Sequence, residues 1–133
     1  MLWGIGGPMA KKIAEIIAWQ LAEELRRQVI DVSDQGTFAR DFRLCSQTRA
    51  AANSVSSNIA EGFKRFNPAE FSQFMKYARA SIAELTVHLT DARDRRHISV
   101  EQHAALTKLT ARAAIASARL HAYLRTAKPP VRK

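Results

Sequence analysis

The sequence predicts an all-α protein, an antiparallel up-and-down four-helix bundle. Three observations lead there. Apolar residues recur at spacings of three, four and seven through most of the chain. No strict apolar–polar alternation of useful length appears, and no Asn-Gly or Asp-Gly hairpin signal. Turn and capping residues cut the 133 residues into four helical segments of about 20–25 residues with short connections, as sequential bundle helices require. At about 1.5 Å per residue each helix would span roughly 30–38 Å.

The first helix is expected from Ala10 to Val32. Ala10, Ala14, Ile17, Ala18, Leu21, Leu25, Val29 and Val32 form one apolar stripe. Ile16, Trp19 and Ile30 fall on another side, so the helix is either deeply buried or, as expected here for these three residues, meets another subunit. Ser33-Asp34-Gln35-Gly36 ends the helix with turn chemistry. Residues 1–9 are apolar but broken by Gly and Pro, with neither a basic leader nor a continuous apolar run. They are expected to be an N-terminal extension rather than a secretory signal, ordered only on docking to a partner.

The second helix is expected from Phe42 to Phe63, with Leu44, Thr48, Ala51, Val55, Ile59 and Gly62 facing inward. Most of these are small, so a neighbouring helix can approach closely. Gly62 and then Asn67-Pro68 mark its end. The third helix starts with Asn67 as N-cap, Pro68 at the first position and Glu70 at the third. Phe71, Phe74, Met75, Ala78, Ile82, Leu85, Leu89 and Ala92 are its stripe, and the charged stretch Arg93–His97 its end. Ser99 with Gln102 is a capping box opening the fourth helix. Its stripe is Leu106, Leu109, Ala113, Ala116, Leu120, Tyr123 and Leu124, and Lys128-Pro129-Pro130 stops it. One bundle domain over residues 10–127 with a basic tail over 128–133 is therefore expected.

Lys and Arg number 21 and Asp and Glu 12, a formal charge of +9. The excess is lopsided. Residues 1–66 hold 9 basic and 7 acidic side chains, residues 67–133 hold 12 and 5. After Glu101 there is no acid, so Lys108, Arg112, Arg119, Arg125, Lys128, Arg132 and Lys133 stand unopposed. Such a field attracts polyanions; it also simply solubilises a surface. Lys108, Arg112 and Arg119 share one flank of the fourth helix, beside its apolar stripe. The single Cys excludes an intrachain disulfide and a Cys-rich zinc module. No window approaches about 18 uninterrupted apolar residues, which excludes a transmembrane helix. A soluble, cytoplasmic protein is expected.

Signs of chemistry are sparse. Among His88, His97, His103 and His121, His88/Asp91 is the one pair read as having helical metal-site spacing, and Glu-x-x-His is absent. No metal or other cofactor is expected. Cys45 reads as a buried structural thiol, and no phosphate-binding glycine loop occurs. Ser54, Asn58 and Glu61 on the second helix, with Ser81, Glu84 and Arg79 on the third, suggest an interhelix polar network. Arg65 or Arg79 would compensate Glu61 there, because buried polar groups need partners. The alternative is a catalytic pocket around Asn58, Glu61 and Arg79.

The run from Ser54 to Arg65, SVSSNIAEGFKR, resembles the signature of the four helix bundle proteins encoded in intervening sequences of bacterial large-subunit ribosomal RNA genes. Gln47–Ala51, Phe74–Leu85 and Trp19–Ala22 are similar to flanking family elements, and the resemblance covers about residues 10–125. Ala80 stands where a Gly is usual, and the loop 35–40 lacks an expected Pro and Glu. The resemblance implies a homo-oligomeric ring, a pentamer by family habit. It also implies similarity to the nucleic-acid-binding accessory protein of diversity-generating retroelements, whose partner is a reverse transcriptase, and it brings no assigned enzymatic activity. The expected function is thus a non-enzymatic oligomeric accessory protein that contacts RNA or DNA backbone through Arg95, Arg96, Lys108, Arg112, Arg119 and Arg125. The alternative is a protein-interaction scaffold with no direct nucleic-acid role.

Overall fold

A 3-10 turn at Ile13–Glu15 leads into α1 (Ile17–Ser33), followed by α2 (Gly36–Arg40), α3 (Phe42–Phe63), α4 (Pro68–Asp94) and α5 (Val100–Thr126). The computed structural model describes residues 12–128. The expectations for residues 1–11 and 129–133, Ala10 and the last basic residues included, lie outside the described part.

The four long helices pack in the cyclic order α1, α3, α4, α5, each touching the two beside it. Side-chain contacts fix the directions. Cys45 Sγ donates to the Ser33 carbonyl at 3.4 Å and Arg49 Nε to Ser33 Oγ at 2.7 Å, so α1 and α3 run antiparallel from their shared turn. Ser54–Ser81 bonding couples α3 to α4, and Thr90–His103 and Arg79–His121 couple α4 to α5. The fold is the expected up-and-down bundle with one added short helix.

The caps work as the sequence predicts. The Asn67 side chain accepts from the Glu70 N–H at 3.1 Å, with Pro68 at the start of α4. The Ser99/Gln102 capping box closes at 3.0 and 2.8 Å. Each satisfies donors the helix cannot reach internally. Asp41 caps α3 through the Leu44 N–H at 3.3 Å.

Every stripe residue expected on α3 is buried, and so is every one on α4 except the half-buried Phe74. The core centres on Leu25, Val29, Phe38, Val55, Ile59, Phe71, Met75, Leu85, Leu89, Leu106 and Leu124. Two buried threonines bond locally: Thr48 donates to the Leu44 carbonyl at 2.6 Å and Thr110 to that of Leu106 at 2.7 Å. Such i−4 bonds let polar residues sit in an apolar seam.

Three expectations need correction. The α-helical part of the first helix starts at Ile17, because Ile16 is extended (φ −82°, ψ 115°). That break resets the helical phase, so Ile16 is buried in the core while Ile17 is 48% exposed. The supposed loop 35–40 contains α2, and its Phe38 is fully buried. On α5, Tyr123 lies largely outside the core at 39% exposure.

Candidate nucleic-acid interface

Four of the expected phosphate contacts lie on α5. Lys108, Arg112, Arg119 and Arg125 are exposed, and none makes a salt bridge. The one acid of the helix, Glu101, is in its first turn. Together the cations span about 25 Å of helix axis, Lys108, Arg112 and Arg119 on one flank and Arg125 turned about 100° or more from it. Unpaired side chains keep their full charge for an incoming polyanion.

The loop between α4 and α5 behaves differently. Arg95 donates to Asp41 Oδ2 and to Asp91 Oδ1, both at 3.0 Å. The carboxylates of Asp41 and Asp91 offset its charge and raise its pKa, so Arg95 is a structural tie rather than a free phosphate contact. Arg96 is exposed and unpaired, in a left-handed conformation (φ 61°).

The residues of the supposed polar network separate into four groups, the last of them Glu84 with His88. Asn58 Nδ2 donates to the Ser54 carbonyl at 2.8 Å and to Ser54 Oγ at 3.0 Å, and Ser54 Oγ is bonded to Ser81 Oγ at 2.8 Å across the α3–α4 interface. Glu61 pairs with Arg65 at 2.9 Å, and the Arg65 guanidinium sits 5.0 Å over the Phe74 ring. Arg79 turns to the other side of α4 and meets His121 at 3.1 Å. Residues 79 and 81 are about 200° apart on a helix, so Arg79 cannot share the face of Ser81. That spacing could have excluded Arg79 from the network. It also means Asn58, Glu61 and Arg79 do not converge on one pocket.

Glu84 lies 3.2 Å from His88, so His88/Asp91 is not the one pair at helical spacing: Glu84/His88 is a second, at i, i+4. Among the described residues no three His, Cys, Asp or Glu side chains gather closely enough to hold a metal ion. Cys45 is a free, buried thiol. No helix of the described residues is long and apolar enough to cross a membrane.

The second apolar patch on α1 does not exist as a unit. Ile16 is 1% exposed and belongs to the monomer core, which removes it as an interface anchor. Trp19 packs partly against the core and Ile30 is half-buried. Phe42, which no pattern in the sequence singles out, is 81% exposed beside an open groove lined by Cys45, Arg49, Ala50 and Asn53.

The signature stretch turns out to be packing. Ile59 is fully buried, and Phe63 meets Phe71 edge to face with centroids 6.4 Å apart. A Cβ on Gly62 would lie 2.5 Å from Phe71 Cδ1. Together with the closed antiparallel ring, these features define a helical-bundle protein. The chain belongs to the 23S rRNA-intervening sequence protein family, whose model matches residues 14–116. A comparison with curated proteins gives no match.

Proposed function

We propose that this protein is a non-enzymatic accessory bundle that binds nucleic acid through its backbone and works as a homo-oligomer, a pentamer by its resemblance. The supporting observation is the set of exposed, unpaired cations on α5, Lys108, Arg112 and Arg119 on one flank and Arg125 near its end. Arg96 adds a fifth unpaired charge, and no base-reading motif accompanies them. The family's description names an intervening sequence of 23S rRNA, which makes RNA the first ligand to test.

The test is a titration of labelled single-stranded RNA at two salt concentrations. Three to four phosphate contacts predict a loss of about 20- to 50-fold in affinity between about 50 and 200 mM salt. No binding at low salt, or affinity indifferent to salt, overturns the reading. A protein-interaction scaffold is the second reading, and the exposed Phe42 beside its groove favours it. Light scattering that shows a monomer would count against self-assembly in both.

A further inference from the structure

Arg79 Nη1 and His121 Nδ1 lie 3.1 Å apart across the seam between α4 and α5. A guanidinium can only donate, so Nδ1 accepts. The ring is therefore neutral in this arrangement, with its proton on Nε2. Lys76 and Arg125 also act on the ring. The charges that act on His121 are cations: Arg79 and Lys76 from α4 and Arg125, one turn on, from α5 itself. None of the three makes a salt bridge. Partial burial, then Arg79, Arg125 and Lys76, hold the His121 pKa below the ordinary histidine value. Beside Arg79 the seam opens into a cavity of about 280 Å³ floored by Ile82, Ala83 and Ala114.

Arg79 reaches one imidazole nitrogen, and Lys76 and Arg125, each about one turn along its own helix from that contact, add like charge. Repulsion among like charges costs stability unless an anion relieves it. We propose that Lys76, Arg79, His121 and Arg125 form a phosphate-binding site at the α4–α5 seam, filled by a phosphodiester of the bound nucleic acid, and that filling it draws a proton from solvent onto His121. The occupant rests on the nucleic-acid reading above. The phosphate oxygens accept from Arg79 and from the Nε2–H of His121. Its negative charge offsets the cations and favours the charged imidazolium. Protonation at Nδ1 then releases Arg79 to donate fully to the phosphate. Binding takes up a proton, so affinity rises as pH falls between the bound and free pKa values of His121.

Two measurements on the full chain test this. The first follows the His121 ring resonance through a pH titration with and without inorganic phosphate, the assignment fixed by His121→Gln. The expected result is a higher midpoint in phosphate for the wild type and none for Arg79→Gln. The second measures labelled single-stranded RNA at constant salt at about pH 5.5 and about pH 8. The wild type should bind more tightly at the lower pH, and His121→Gln should lose that gain. Arg79→Gln should weaken binding about tenfold, while Arg112→Gln lowers affinity but keeps the pH gain. RNA binding with an unmoved His121 midpoint overturns the site and leaves the nucleic-acid reading standing. A midpoint that rises in phosphate with no RNA binding overturns that reading and leaves the anion site. If neither occurs, both fall.

Discussion

His97 Nε2 lies 2.8 Å from Asp41 Oδ2, joining residues 56 positions apart. A carboxylate only accepts, so Nε2 carries a proton. The other ring nitrogen is 2.8 Å from Thr37 Oγ1, and the ring stacks on Phe38 with centroids 5.4 Å apart. Asp41 also takes Arg95 and caps α3. One short cluster thus ties α2, the start of α3 and the α4–α5 turn together. Replacing His97 with Ala removes two hydrogen bonds and a stacked ring, and should cost about 2 kcal/mol in urea unfolding. A change within about 0.5 kcal/mol would mean the cluster does not hold the turns.

The same pair sets a pH dependence. The hydrogen bond from His97 holds the Asp41 carboxyl below the usual aspartate range; burial opposes it, and Arg95 and the Leu44 N–H add to it. A depressed pKa stabilises the fold above the unfolded value of about 3.9 and loses that contribution as pH falls through the folded value. The stability difference between wild type and Asp41→Asn should therefore shrink as pH drops below about 4. A difference that stays constant from neutral to strongly acid pH would exclude this linkage.

Gly62 is expected to resist even alanine. The added Cβ would meet Phe71 Cδ1 at 2.5 Å and Phe74 Cβ at 2.9 Å. Overpacking of this kind costs about 1–3 kcal/mol, against a helix-propensity gain of about 1 kcal/mol. Thermal melts of Gly62→Ala should show net destabilisation. A raised melting temperature would show that α4 can slide away from α3 at little cost.

Ser54 and Ser81 should be energetically coupled. Their hydroxyls are 2.8 Å apart between α3 and α4. A double-mutant cycle with alanines should give about 0.5–1 kcal/mol of interaction energy. Asn58 bonds back to its own helix and is half-buried, so Asn58→Ala should cost only about 0.5 kcal/mol. Additive serine variants would refute the coupling.

Arg96 offers a stabilising change. The His97 N–H reaches the Ala92 carbonyl and the Arg96 N–H that of Arg93, both at 2.9 Å, which ends α4 in a Schellman motif with Arg96 at the left-handed position. Glycine is at ease there and arginine is not. Arg96→Gly should stabilise the fold by about 1 kcal/mol. If RNA affinity falls in the same variant, the strained arginine is retained for its charge. A loss of stability would show that the side chain contributes packing the conformation alone does not reveal.

How much was legible follows from range. The caps at Asn67 and Ser99 and the stripes of α3 and α4 depend on residues within a turn or two, and the sequence displays them openly. The phase break at Ile16 is a single extended residue inside an apolar run, and no spacing marks it. Phe38 looked like a loop residue because its burial depends on His97, far along the chain. Of the two partners charge allows Glu61, Arg65 is the one that pairs with it, one turn away on the same helix, while helical geometry turns Arg79 toward α5. The unpaired cations of α5 were visible as an acid-free stretch. That Arg95 is paired was not, since Asp41 comes from another turn.

The closed antiparallel ring puts the start of α1, the α3–α4 turn and the end of α5 at one pole of the bundle. Lys12 and Lys128 therefore leave from the same side, and His121 and Arg125 stand in the last turns beside them. Anything joined at Lys12 or Lys128 is held at the pole where His121 and Arg125 lie. The pole sealed by His97 and Asp41 stays out of its reach, a natural place for a label or a surface anchor that must not disturb binding.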